Sequence, residues 1–332
     1  MGQSNRQLKD SILRTLHYHN LFDYPLTHKE IYRFLCGNFQ FFVPRTTSLG
    51  LAISNFQFEN TLRNLVKTKQ IFKKDNFYFL PKKENIVNLR KKKAKYSQEK
   101  IKIAKKIVQL IKFIPWIKMV GITGALAMNN SREDDDIDLL ITTIKNRLWL
   151  TRFLLIIILE ILSKRRRPQD KNYKNKMCLN MFLDEKALYL SKDKHNLFTA
   201  HEIIQMKPIL NKHNTYEKFL KANLWVKDFL PNSLDNMILG YDDIKKKNKK
   251  SPNIQISPAF VKASAGRQYP NIPDFIENLI YQLQLKYMKS KITREEINSH
   301  FAFFHPKNRT KEILKKYYSI FSKLPASLHN FL

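Results

Sequence analysis

Apolar residues recur at helical spacing near the start of the chain, with Leu8, Ile12, Leu13 and Leu16 on one face of a helix over 7–19. Thr27 and Glu30 form a T-x-x-E capping box that opens a second helix running to Leu35. Phe58, Leu62, Leu65 and Val66 predict a third helix over about 55–69. Two short β-rich runs then flank the turn Lys73-Lys74-Asp75-Asn76. A basic bridge over 82–112 leads into a helix with an apolar stripe, Ile101, Ala104, Ile107, Val108 and Ile111, which ends before Pro115. Beyond it the pattern alternates between strand and helix. Strands are predicted at Ile117–Ile122, Ile137–Thr143 and Met177–Leu183, and helices from Gly124, over 146–163, over 197–206 and over 215–229. After the polar linker 245–252, helices are expected near 272–290 and 309–323, separated by Phe301-Ala302-Phe303-Phe304-His305-Pro306.

This order predicts an α+β (mixed α/β) chain with helices packed on a small sheet. Three regions follow: 1–90, 91–240 and a linker with a C-terminal helical region over 241–332, which is expected to pack back on the middle region. Three helices followed by a hairpin resemble a winged helix, and the third helix would then be the one that reads DNA. Its basic side chains, Arg63, Lys67 and Lys69, are few for that task. The apolar stretch 148–162 contains Arg152 and Glu160 and is shorter than the roughly 20 residues of a membrane span, so it reads as a buried helix.

Sixty Lys and Arg against 28 Asp and Glu give a formal charge of +32, which favours polyanionic partners such as RNA, DNA, nucleotide phosphates or an anionic membrane surface. The lysine-rich bias is also what an A/T-rich genome produces, which weakens that argument. Two distant cysteines, Cys36 and Cys178, argue against a disulfide framework or a structural zinc site. With no apolar signal core at the N-terminus, the expected compartment is the cytoplasm.

Against that basic background, Glu133-Asp134-Asp135-Asp136-Ile137-Asp138 concentrates five acids in six residues. Asp136 and Asp138 stand two apart at the head of an apolar strand, so their side chains share a face. Paired carboxylates raise each other's pKa, and Mg²⁺ or Mn²⁺ relieves that cost while accepting substrate phosphates. A solvated acidic turn is the competing reading. Upstream, Thr123-Gly124-Ala125 forms a strand-to-helix turn where a glycine lets backbone approach a phosphate.

Together these residues resemble the signature of the DNA polymerase β-like nucleotidyltransferase superfamily: a hydrophobic residue, Gly, then Gly or Ser, a spacer of 9–13 residues, then Asp-hydrophobic-acid-hydrophobic. Here Gly124-Ala125 precedes ten residues and then Asp136-Ile137-Asp138-Leu139, with Ala125 departing from Gly or Ser. The whole chain is also similar to bacterial and archaeal proteins that join a winged-helix-like segment to such a domain. The resemblance implies a metal held by Asp136 and Asp138, a nucleoside triphosphate (NTP) as co-substrate, and transfer of a nucleoside monophosphate to RNA, protein or a small molecule with release of pyrophosphate. It also implies a third carboxylate from a later strand. At that position stands Asn180, with Asp184 further along what alternation makes the same face. Glu202 is the remaining candidate for the catalytic acid, and His201 a second candidate base. The alternative is a DNA-binding regulator whose nucleotide domain is weak or inactive.

Overall fold

The computed structural model describes residues 3–37, 55–81, 83, 85–167, 169–234, 272–289, 295–304 and 309–321. The linker expected at 245–252 lies outside them. An N-terminal unit comprises α1 (Gln3–Asn20), β1 (Leu26–Thr27), α2 (His28–Arg33), α3 (Asn55–Lys67), β2 (Phe72–Lys74) and β3 (Phe77–Phe79). The Thr27 capping box is formed, with Glu30 bonding back to the Thr27 N–H at 2.8 Å. Strand β1, too short to see in the sequence, pairs with β3 to make a three-stranded sheet. Helix α4 (Ile86–Ile111) then runs across the expected boundary at residue 90.

The larger sheet is built from β4 (Ile117–Ile122), β5 (Ile137–Thr143), β6 (Met177–Asp184), β7 (Lys207–Asn211), β8 (Glu296–Ile297) and β9 (Phe301–Phe303), in the spatial order β7-β4-β5-β6-β9-β8. Only β5 and β6 run parallel. One-turn α5 (Gly124–Ala127) follows β4, α6 (Leu148–Ile161) follows β5, and α7 (Leu197–Gln205) and α8 (Thr215–Ala222) flank β7. Past the linker come α9 (Asp274–Lys289) and α10 (Arg309–Phe321).

Two expectations are corrected. The C-terminal region is not purely helical, because β8 and β9 extend the central sheet beyond β6. The missed strand β7 carries Pro208, which hides strand character in the sequence and is tolerated here because β7 lies at the sheet edge.

The sheet separates two cores. Val120, Ile122, Leu139, Ile141 and Phe182 face the core that also holds Ala104, Val108 and Leu155. Met119, Leu140 and Leu183 face the opposite core, shared by α1, α2, α7, α8 and α10. Burial on both faces explains why β4 and β5 read as unbroken apolar runs. It also assigns Asp138, in phase with Leu140, to the face covered by α7 and the N-terminal unit.

That unit is fastened to α7. Tyr18 stacks on His201 with ring centroids 4.0 Å apart, and Arg33 donates to the Ile204 carbonyl at 3.2 Å. Nearby, the Tyr24 hydroxyl donates to the Met128 carbonyl at 2.7 Å, just past α5. Truncating Tyr18 empties the space between α1 and α7. Tyr18→Ala is expected to cost about 3–5 kcal/mol in urea unfolding, by the measure of other buried aromatic truncations.

Among the described residues, no helix is long and apolar enough to cross a membrane.

Candidate active site

The acidic run divides by function. Glu133 pairs with Lys174 at 2.7 Å and Asp134 with Arg132 at 3.0 Å, both at the surface. Asp135 turns back on its own loop, accepting from the Arg132 N–H at 2.6 Å. Asp136 and Asp138 alone turn inward. Their carboxylates and the Cys178 sulfur each place an atom within 4.8 Å of the others.

The loop is held from beneath by Lys100. This lysine is buried, and its Nζ donates to the carbonyls of Glu133 (2.9 Å) and Asp135 (2.6 Å) and to Asn175 Oδ1 (2.9 Å). Lys100→Met would remove a donor from three acceptors, of which the Asp135 carbonyl keeps the Asn175 N–H at 3.3 Å. It is expected to cost about 2–4 kcal/mol in urea unfolding and to weaken divalent-cation binding, readable by calorimetry.

The turn before the acids is shaped for close approach. Gly124 has φ +61°, and a Cβ there would stand 3.0 Å from Asp138 Oδ2, so both conformation and space demand glycine. Thr123 is nearly buried and donates its N–H to the Asp138 carbonyl at 3.1 Å, while Ala125 is exposed. Helix α5 has one turn and so only a small dipole, and the N–H groups of Thr123 and Gly124 are bonded to the Asp138 carbonyl and to Glu202.

Strand β6 lies beside the pair. Asp138 is in register with Cys178 and Leu140 with Met181, which leaves one extra residue on β6. Alternation brings both Cys178 and Asn180 to the acid face, and the bulge then shifts the phase, so that Met181 follows on that face and Asp184 does not. Asn180 Nδ2 donates to Asp138 Oδ1 at 2.8 Å, and its own Oδ1 is buried without a partner. Beyond the bulge Asp184 faces the other way, against the expectation that it shares the face of Asn180. It is fully buried and accepts from His300 Nδ1 at 2.7 Å and from the Lys186 N–H at 2.8 Å. Asp184 is structural.

Helix α7 brings a further carboxylate to the Gly124 turn. Asn196 caps it by accepting from the Thr199 N–H at 2.9 Å, and Glu202 projects toward Gly124, whose N–H donates to it. Burial, then the charge of Asp138, pushes the Glu202 carboxyl up to about 7. Burial, then Asp136, pushes Asp138 up to about 6. Asp136 is raised by burial and drawn back by Arg166, whose Nε lies 2.7 Å from its Oδ2. The neighbouring His201 is not a base. It is buried among aromatic rings, its Nδ1 bonds the Leu197 carbonyl at 2.8 Å, and burial drives its pKa well below the usual range.

Models of known protein families, curated proteins and solved structures were compared with this chain, and none matches.

Three further residues belong to the cluster without having been singled out in the sequence. Cys178 sits beside the acids, and burial with their charge raises its pKa far above normal, so the thiol stays protonated and its one S–H can donate to either carboxylate, one at a time. Arg166 came from the basic run after α6, which reads as a helix cap. Arg309 opens α10 and lies close enough to lower the pKa of both Asp138 and Glu202.

The donors suit a hard divalent cation. Two carboxylates with raised affinity for positive charge converge, Asn180 Oδ1 lacks a partner, and the soft sulfur is held neutral. Asp136 and Asp138 are the residues that could hold it.

Proposed function

We propose that the protein is a nucleotidyltransferase that moves a nucleoside monophosphate from an NTP to a hydroxyl-bearing acceptor and releases pyrophosphate. The observation that carries this reading is the meeting of Asp138 and Glu202 at the turn at Gly124, with Asp136 beside Asp138. Asn180 in the expected position of the third acid would leave the site without a base; Glu202, entering from α7, makes good that loss.

A bound Mg²⁺ or Mn²⁺ would neutralise the triphosphate and the two aspartates. The remaining roles fall to side chains of the chain. Thr123, Gly124 and Ala125 form the turn against which phosphates would lie, with Ala125 exposed in the first turn of α5, where N–H groups lack intrahelical partners. Glu202, with a pKa of about 7, is suited to take the acceptor hydroxyl proton near neutral pH. The acceptor oxygen then bonds to the α-phosphorus as the bond to the pyrophosphate oxygen breaks. Arg166, paired with Asp136, and Arg309, near Asp138 and Glu202, are the cations that would balance the charge gathering on the leaving group.

Incubation with each α-labelled NTP, Mg²⁺ or Mn²⁺ and total RNA or lysate tests this reading. Label transfer by the wild type and none by Asp138→Asn is the expected result. Transfer that persists in Asp138→Asn refutes the site assignment.

The DNA-binding alternative is less supported. The exposed Arg63 of α3 is paired with Glu59 at 2.9 Å, and the faces of α1 and α2 are committed to packing on α7.

A further inference from the structure

Helices α1 and α3 pack through buried Leu8, Ile12, Phe58, Leu62 and Leu65. Beside that core they leave an open groove of about 420 Å³, which Leu65 also lines. Its size falls in the range of roughly 300–1,000 Å³ usual for small-ligand pockets. Its walls are polar for a helix–helix seam. Of the described residues around it, Lys9 alone is charged, and Phe56 is 75 % exposed. Most of the others are amides and hydroxyls.

Several of these polar groups are engaged. Gln57 Nε2 donates to Asn5 Oδ1 at 2.6 Å, from α3 across to α1. The Thr61 hydroxyl donates to the Gln57 carbonyl at 2.9 Å, and the Thr68 hydroxyl to the Asn64 carbonyl at 2.8 Å. Gln70 Nε2 donates to the Thr68 hydroxyl at 3.1 Å. These bonds hold the walls. The side-chain amides of Asn60 and Asn64 stay exposed along the groove, without a hydrogen bond to another described residue.

Phe56, Asn60 and Asn64 follow one another at four-residue steps on α3, so they form one ridge with neighbours about 5–6 Å apart. Asparagine is a weak helix former because its side chain competes for nearby backbone groups. Two of them on α3, unpartnered and outside the core, are not explained by folding. The ridge does fit a ligand. An aromatic ring offers a face for stacking, and each amide sets a donor beside an acceptor, the pattern that matches a base edge. Across the groove Lys9 supplies positive charge, and no described carboxylate lines the site to repel a phosphate.

We infer that the groove between α1 and α3 binds a nucleotide, its base held by Phe56, Asn60 and Asn64 and its phosphate by Lys9. Two sources share this chemistry: a free nucleoside monophosphate, and a nucleotide within a single strand. A duplex, whose base faces are closed to Phe56 by stacking, is not a ligand of this site. Lys9 lies about 13 Å along α1 from Tyr18, the ring stacked on α7. The groove is therefore separate from the carboxylate cluster and stands whether or not that cluster is catalytic.

The test uses full-length protein in EDTA, so that no cation is available to the carboxylates. Each nucleoside monophosphate is titrated by calorimetry, and a labelled eight-nucleotide RNA of mixed sequence is followed by anisotropy at several salt concentrations. At least one probe is expected to bind, with affinity falling tenfold or more in Asn60→Ala/Asn64→Ala. Alanine is the stronger helix former, so that variant should keep the wild-type urea midpoint or exceed it. Phe56→Ala should cost about fivefold or more, the scale of one lost base–aromatic stack, while Phe56→Trp stays within threefold of wild type. For the RNA, Lys9→Met should reduce the dependence of log K on log salt by about 0.7 of a unit. Phe113→Ala removes a ring that is 77 % exposed just past α4, serves as the control for diffuse stacking, and should change little. Monophosphates that displace the RNA identify a single-nucleotide site; RNA binding untouched by them identifies strand recognition. Failure of every probe to bind, wild-type affinity in both Asn60→Ala/Asn64→Ala and Phe56→Ala, an equal loss in Phe113→Ala, or equally tight binding of the matching duplex would overturn the inference.

Discussion

Glu202→Gln is expected to slow nucleotidyl transfer by about 10²–10⁴-fold, the usual range for removing a general base, while Mg²⁺–NTP affinity stays within a few-fold of wild type. The amide keeps the size of the side chain and can still accept from the Gly124 N–H, so the turn retains its shape. What disappears is a group of pKa about 7. Two readouts separate this role from a merely structural one. Single-turnover rates should lose their dependence on a group titrating near neutrality, and acceptors with more acidic hydroxyls should regain part of the lost rate. An unchanged rate in Glu202→Gln would assign the base elsewhere and return Asn180 to an unexplained departure.

The second large effect concerns stability against pH. Asp138 and Glu202 have folded pKa values of about 6 and about 7, raised from roughly 3.9 and 4.3 in an unfolded chain. A carboxyl raised on folding binds its proton more tightly in the native state. Its contribution is therefore complete below about pH 4 and is lost as pH climbs through the folded values. Together the two groups account for about 3–5 kcal/mol between pH 4 and 8, reduced from the simple sum because they are coupled and retain some contact with solvent. For a chain of this size that corresponds to a melting temperature lower by roughly 5 °C at pH 8 than at pH 5. Scanning calorimetry of metal-free protein checks this against the Asp138→Asn/Glu202→Gln double variant, whose profile should be flatter. At pH 8, Mg²⁺ at about 100 times its dissociation constant should return about 2.7 kcal/mol. A wild-type profile that matches the double variant would contradict the burial assigned to these groups.

Periodicity revealed most of what local sequence controls. The capping box at Thr27, the stripe on α4 and the apolar runs of β4 and β5 all formed where spacing predicted. Asp136 and Asp138 were legible because two-residue alternation brings such a pair to one face, and a five-acid run in a basic chain draws attention to it. Hidden features depend on distant pairing. The bulge on β6 reverses the phase between Asn180 and Asp184, which no reading of the strand alone could reveal. Arg309 reaches the carboxylates only because α10 packs on α7. Lys100 looked like one more lysine of a basic helix, although its place on the same face as Ala104, Ile107 and Ile111 was a usable signal. Glu202 was named as a candidate, but its position depends on α7 packing against α5 rather than on its neighbours in sequence.

The core shared by α1, α2, α7, α8 and α10 has a consequence for cooperativity. Because the helix that bears Glu202 is packed by α1 and α2, loosening α1 should disturb the contact of Glu202 with the Gly124 turn before it exposes any other surface. Damage to a segment far from Asp138 in sequence would then register at the carboxylate cluster, and heating should melt both units in a single step.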